Sequence, residues 1–205
     1  MAMTASIGER DAHDPGERRV LDAALRCIAR WGVAKTSLDD IAREAGVSRA
    51  TVYRLFPGGK DVLVAALVAD QLGTFFATLG ARLEQADDLE DLLVAGITTA
   101  SRALAGHAAL QFLLAHEPEA VLPHVAFGHF DTVLGAAAAF LAPWLTPHTG
   151  ADLALRAGEW VARLVVSYSL SPSPSFDFTD EDDVRRFAAA YLLPGLTARA
   201  HLSAV

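Results

Sequence analysis

Apolar residues recur at intervals of three and four along almost the whole chain, and no stretch alternates as a strand would. Val20, Ala24, Cys27, Ile28 and Trp31 form the first series. It opens at Asp14-Pro15-Gly16-Glu17, which reads as an N-cap, a proline at the first helical position and an acid at the third, and it stops at Gly32. Leu38, Ile41, Ala42 and Ala45 share one face of a second helix, capped by Thr36 or Ser37 and ended by Gly46. A third helix, Arg49 to Phe56, is capped by Ser48 and stopped by Pro57-Gly58-Gly59. Residues 1–14 form a disordered arm, because no period runs through them before Pro15.

From Lys60 onward the pattern predicts a second, wholly helical region. A long helix from Lys60 to about Gln85 carries Leu63, Leu67, Leu72, Phe75, Phe76, Leu79 and Leu83. Further helices are expected at about 88–105, 107–116, 125–145, 151–170 and 180–193, broken by Pro118, Pro123, Pro147, Pro172 and Pro174, with Thr179 capping the last. The expected fold class is all-α. A three-helix domain over residues 15–60 is joined by the long helix to a second helical domain, residues 61–205.

The second and third helices and the Gly-Val-Ser between them form a specific object. Counting Leu38 as the first position, Ala42 is fifth, Gly46 ninth and Val52 fifteenth. A small Ala lets two helices cross closely, Gly accepts the positive φ of a tight turn, and a β-branched Val fills the wedge. This is the spacing of a helix-turn-helix, whose second helix enters the DNA major groove.

Charge supports that assignment. The chain is acidic overall, with a formal net charge of −8, yet residues 1–60 hold ten Lys/Arg against eight Asp/Glu, and residues 61–205 hold seven against seventeen. A mildly basic head therefore precedes an acidic body, and local charge sets the field at a docking face.

The segment from Arg19 to Leu67, with "DAA" in its first helix, "Thr-Ser", "IA..AGVS" and "Tyr-x-x-Phe-Pro" followed by a Lys, resembles the DNA-binding domain of the TetR family of bacterial transcription regulators. In one respect it departs from the family. Gly58-Gly59 places Lys60 four residues after Phe56, where the family commonly has three. Ser48, Arg49, Ala50 and Thr51 occupy the first turn of the recognition helix, where Arg49 suits guanine O6 and N7 and Ala50 or Thr51 suits a thymine methyl. The resemblance implies that Thr36, Tyr53 and Lys60 hold phosphates beside the N-termini of their helices. Ser37 and Arg54 complete the expected DNA-binding set. The partner so implied is double-stranded DNA with a palindromic site, read by a homodimer.

Two late helices carry a broad apolar face: Leu153, Ala157, Val161, Leu164 and Tyr168, then Val184, Phe187 and Tyr191. In the family such helices pair with their copies as a four-helix bundle, so these residues are the expected dimer interface. An effector pocket is expected from Phe75, Phe76, Leu79, Phe112, Leu113, His116, Phe127, Phe130 and Trp160. Their apolar character predicts a small lipophilic effector, with His116 or Arg163 meeting its polar end. An adaptor whose body binds protein partners and no effector is the alternative.

Enzyme readings find little to rest on. Pro118 and Ala120 interrupt the zinc-protease spacing after His116-Glu117, and neither a Gly-x-Ser-x-Gly elbow nor a full phosphate-binding loop occurs. His116, Glu117, His124 and His129 could gather around a metal, but their spacing lacks the pairs that mark such sites, and no metal or cofactor is expected. The lone Cys27 forms no internal disulfide. The apolar run from Val133 to Leu145 falls short of the roughly 20 residues that a membrane span needs. A cytoplasmic protein is expected.

Overall fold

A computed structural model describes the backbone of residues 14–125 and 130–200 and the side chains of residues 14–121 and 131–197. Residues 1–13 of the expected arm lie outside them, and so do the side chains of His124, Phe127, His129 and Phe130. The described residues are helical and contain no strand: α1 (Pro15–Lys35), α2 (Leu38–Ala45), α3 (Arg49–Leu55), α4 (Lys60–Leu83), α5 (Leu89–Gly106), α6 (Ala108–His116), α7 (Pro118–Val125), α8 (Phe130–Thr149), α9 (Ala151–Leu170), α10 (Glu181–Phe187) and α11 (Leu193–Ala200). Ala188–Leu192, between the last two, is a wide π-type turn.

Several expected ends move, each for a local reason. Asp14 sits at the N-cap of α1 but its carboxylate makes no capping bond. Gly32 breaks α1 rather than ending it, with φ 78° and ψ 175°, and one more turn follows to Lys35. Pro118 starts α7 instead of interrupting the chain, since a first-turn proline withholds an N–H that has no helical partner. Pro123 lies inside α7, and α8 contains Pro143 and Pro147. Asp180, not Thr179, caps α10, its Oδ1 accepting the N–H groups of Asp182 and Asp183 at 3.0 Å each. The Thr179 hydroxyl donates to Asp177 at 2.7 Å.

The chain divides into two compact units: residues up to Thr74 with Ala108–Ala120, and Phe75–His107 with Val121 onward. This boundary falls within α4 and assigns α6 to the head. In the head, Val20, Leu21, Ala24, Cys27 and Ile28 of α1 meet Ile41, Ala42, Val52, Phe56, Leu63, Leu67 and Ala109 in one core. In the body, Leu79, Leu83, Leu93, Ile97, Leu141, Leu145, Val161, Val165, Val184 and Phe187 form the other. The helices α8 and α9 cross closely because residue 158 is Gly: a Cβ there would lie 3.1 Å from the Cα of Ala138 and 3.2 Å from the Cβ of Leu141.

By length and composition α4 alone among the described helices reaches what a membrane crossing requires. Its Leu63 and Leu67 are buried in the head core and its Leu79 and Leu83 in the body core.

Candidate nucleic-acid interface

Local chemistry explains why α2 and α3 form although each is only two turns long. Ser37 and Asp40 make a reciprocal capping box: Ser37 Oγ accepts the Asp40 N–H at 3.2 Å, and Asp40 Oδ2 accepts the Ser37 N–H at 3.2 Å and its hydroxyl at 2.5 Å. The Ser37 hydroxyl and N–H hold the Asp40 carboxyl below the ordinary carboxylate range. At the other end Gly46 is left-handed (φ 65°, ψ 36°) and returns its N–H to Ala42 and Arg43, while the Val47 N–H bonds Ala42 O at 3.0 Å. Ser48 caps α3 through the Thr51 N–H at 3.1 Å. Glu44 accepts from Arg26 at 2.7 Å, tying α2 to α1, and this bond lowers its pKa.

The turn and α3 then present a polar outer face over the apolar inner one. Val52 and Phe56 are buried, while Ser48, Arg49, Ala50, Tyr53 and Arg54 are exposed and Thr51 is half-buried. The Ser48 and Thr51 hydroxyls lie 2.9 Å apart. Arg49 is bound from two sides, by Asp39 Oδ2 at 3.0 Å and by the Tyr53 hydroxyl at 3.3 Å, and these partners, Tyr53 first, push its pKa further up. Ser37 is exposed at the N-terminus of α2.

Two of the expected phosphate contacts are placed differently. Thr36 is 2% exposed, and its hydroxyl donates to Gly32 O at 2.6 Å, so that group is directed inward. Lys60 is half-buried, and its Nζ donates to Val33 O at 2.5 Å. The Pro57-Gly58-Gly59 turn, with φ 123° and 81° at its two glycines, starts α4 so that this ammonium caps the end of α1.

Glu117, weighed from sequence only as a metal-ligand or zinc-protease candidate with His116, completes the same corner. Its Oε2 accepts the N–H groups of Val33 at 2.9 Å and Ala34 at 3.3 Å. A Cβ on Gly32 would lie 2.1 Å from its Oε1, so glycine is needed there for both the backbone angle and the space. The carboxylate, the ammonium of Lys60 and the hydroxyl of Thr36 thus fix the strand of chain that leads into α2. With Val33 and Glu117 84 positions apart in sequence, no periodicity signals the contact; the glycine is its only local sign.

The expected pocket residues are distributed over both units. Phe75 and Phe76 meet edge to face at 5.2 Å, and Phe76 lies 4.7 Å from Phe140 of α8, all three half-buried in the body, where Leu79 is core. Phe112 stacks on His116 at 4.4 Å and Leu113 packs on the head core. His116 Nδ1 is 3.0 Å from Phe112 O. Trp160 is exposed, and Arg163 is exposed and paired with Glu159 at 2.8 Å. Of the expected dimer residues, Ala157, Val161, Val184 and Phe187 are buried in the body's own core, and Leu153, Leu164 and Tyr168 pack against it. Only Tyr191 is well exposed among them. Helical period identifies an apolar face but not whether the chain itself covers it.

Capped α2 and α3, joined by a left-handed glycine and packed on α1, define a helix-turn-helix DNA-binding domain carried by an all-α chain. Residues 20–67 match the family described as bacterial regulatory proteins, tetR family. A helix-turn-helix transcriptional regulator of Mycobacterium tuberculosis is 28% identical over 179 residues, covering 87% of this chain and 84% of its own. The TetR family repressor AlkX of Dietzia, implicated in n-alkane biodegradation, superposes with a TM-score of 0.61 at 21% identity, over 89% of this chain and 97% of that one. The regulator FadR of Bacillus subtilis, solved with stearoyl-CoA, gives 0.62 at 17% identity over 83% and 96%. Over residues 20–67 the chain carries a DNA-binding domain of the TetR type.

Proposed function

We propose that this regulator is a cytosolic homodimeric repressor that reads a palindromic operator and is released by a lipophilic effector of the acyl-chain kind. The observation that carries the DNA reading is the exposed face of the capped α3, where Arg49 stands in the first turn between Ser48 and Ala50. Arg49 grips a guanine, Ala50 or Thr51 meets a thymine methyl, and Ser37, Tyr53 and Arg54 hold backbone phosphates. Lys60 serves the interface by fixing the α1 end unless DNA draws it away.

One short recognition helix reads few bases, and two copies at the roughly 34–36 Å spacing of successive major grooves read a palindrome. The dimer face we assign is the uncovered edge of the last helices. Leu155, Ala162, Val166 and Leu170 follow i, i+7, i+11 and i+15 along α9 outside the core, and Tyr191, near the chain's last helix, is 58% exposed. A shared core of these side chains removes apolar surface from water in both copies.

For the effector, the half-buried aromatic group of Phe75, Phe76 and Phe140 supports an apolar ligand in the body. The stearoyl-CoA bound by FadR and the n-alkane connection of AlkX point the same way. Because α4 begins in the head unit and ends in the body, a ligand seated at Phe75 and Phe76 shifts the helix that starts at Lys60. Tenfold weaker DNA binding then corresponds to tenfold tighter ligand binding by the free protein, a coupling of about 1.4 kcal/mol.

Selection of bound duplexes from a random library tests the DNA reading. Two inverted half-sites containing a guanine are expected, and Arg49→Ala should lose that guanine preference. A single unsymmetrical site, or an unchanged preference, would refute it.

A further inference from the structure

Arg49 does not stand free at the DNA face. Its Nη1 donates to Asp39 Oδ2 at 3.0 Å, its Nη2 to the Tyr53 hydroxyl at 3.3 Å, and its Cζ lies 5.4 Å from the centroid of the Tyr53 ring. Asp39 is the second residue of α2 and Arg49 the first of α3, so the pair bridges the helix-turn-helix from one helix to the other. Both side chains are more than half exposed, at 58% for Arg49 and 53% for Asp39. A carboxylate in this position is chemically unexpected, because an anion on the face that approaches DNA is repelled by every phosphate.

The repulsion is selective when Arg49 is considered with it. To neutralise a phosphate, a guanidinium whose single charge Asp39 already compensates must either leave Asp39 or hold two anions at once, and in both cases one negative charge stands uncompensated beside the DNA backbone. To read a guanine, the guanidinium needs only two N–H groups for O6 and N7, and the base edge carries no net charge. A guanidinium has five N–H donors, so Asp39 keeps one while the guanine takes two. The carboxylate therefore penalises the phosphate contact available on any sequence and spares the contact available on one base.

Building on the assignment of Arg49 as a base-reading residue, we propose that Asp39 is a specificity-determining positioning residue, which withholds Arg49 from phosphates and presents it to guanine. Asp39 raises discrimination by weakening binding to wrong sequences rather than by strengthening binding to the right one. Tyr53 assists by holding the guanidinium plane from its other side.

The test uses the full chain and two duplexes of one length, the tightest binder selected from a random library and a random-sequence pool, titrated at several salt concentrations. With Asp39→Asn, affinity for the random pool should rise about tenfold, and the slope of log K against log salt should steepen by about two for a dimer, one added phosphate contact per subunit. The selected duplex should gain less, so the ratio of the two affinities falls. In an Arg49→Ala background, Asp39→Asn should raise both affinities equally and leave the ratio unchanged. A ratio that survives Asp39→Asn while Arg49→Ala lowers it would overturn the role of Asp39 and leave Arg49 as a reader. A ratio untouched by Arg49→Ala would remove both assignments together.

Discussion

The head and the body of this molecule are held together by different physics. The head's short helices depend on named polar contacts: the Ser37–Asp40 box, the Ser48 cap, and the corner where Glu117, Lys60 and Thr36 fix residues 32–34. The body's long helices depend on apolar burial, from Leu83 and Ile97 to Val165 and Phe187, with a close helix crossing at Gly158. Polar contacts demand fixed residue types at fixed positions, which is why residues 20–67 match a family pattern. Apolar packing tolerates exchange as long as volume and period are kept, and that leaves the body's sequence freer to vary than the head's.

The largest break in this contrast should come from Gly32→Ala. Residue 32 has φ 78° and ψ 175°, a region open almost only to glycine, and a Cβ there collides with Glu117. A loss of about 2–3 kcal/mol from backbone strain is expected, seen as an earlier thermal transition with DNA binding weakened at temperatures where the body stays helical. Next is Tyr191→Glu, which places an unpaired charge in the assigned dimer face. Light scattering should report folded monomers whose operator affinity has dropped sharply, and a variant that stays dimeric would move the interface elsewhere.

A smaller effect is expected from Glu117→Gln, which keeps one acceptor but removes the charge from the bonds to Val33 and Ala34. About 1–2 kcal/mol of head stability should be lost, and hydrogen exchange should quicken at these two amides before it does in the body. The smallest effect is on acid stability. The Asp40 carboxyl lies below its ordinary range in the folded chain, so its contribution is present above the unfolded value and fades as pH falls through the folded one. Asp40→Asn should flatten that acid limb of the stability curve and leave its neutral part nearly level.

These contrasts also explain what could be read from the sequence. The helix-turn-helix was legible in full because Gly46, Ser48 and the Leu38, Ala42, Val52 spacing each have a local steric cause. The long helix from Lys60 was legible from its leucines. Pro118 does mark the end of α6 at His116, but the proline signals misled at Pro123 and Pro147, which lie near the ends of α7 and α8 without breaking them. The direction of Lys60 and Thr36 toward α1, and the reach of Glu117 across the chain, depend on tertiary contacts that no local pattern encodes. The apolar period in α9 and α10 was real, but Val161, Val184 and Phe187 face the chain's own core.

Under the proposed function, one ligand in the body governs the reader in the head. Fluorescence anisotropy of a labelled operator duplex, titrated with stearoyl-CoA against wild type and Phe76→Trp, tests it directly. Release of DNA from the wild type with matching thermal stabilisation is expected, and loss of both in the variant while its operator affinity without ligand is unchanged. Stearoyl-CoA that stabilises the wild type through Phe76 and leaves operator affinity untouched would contradict it.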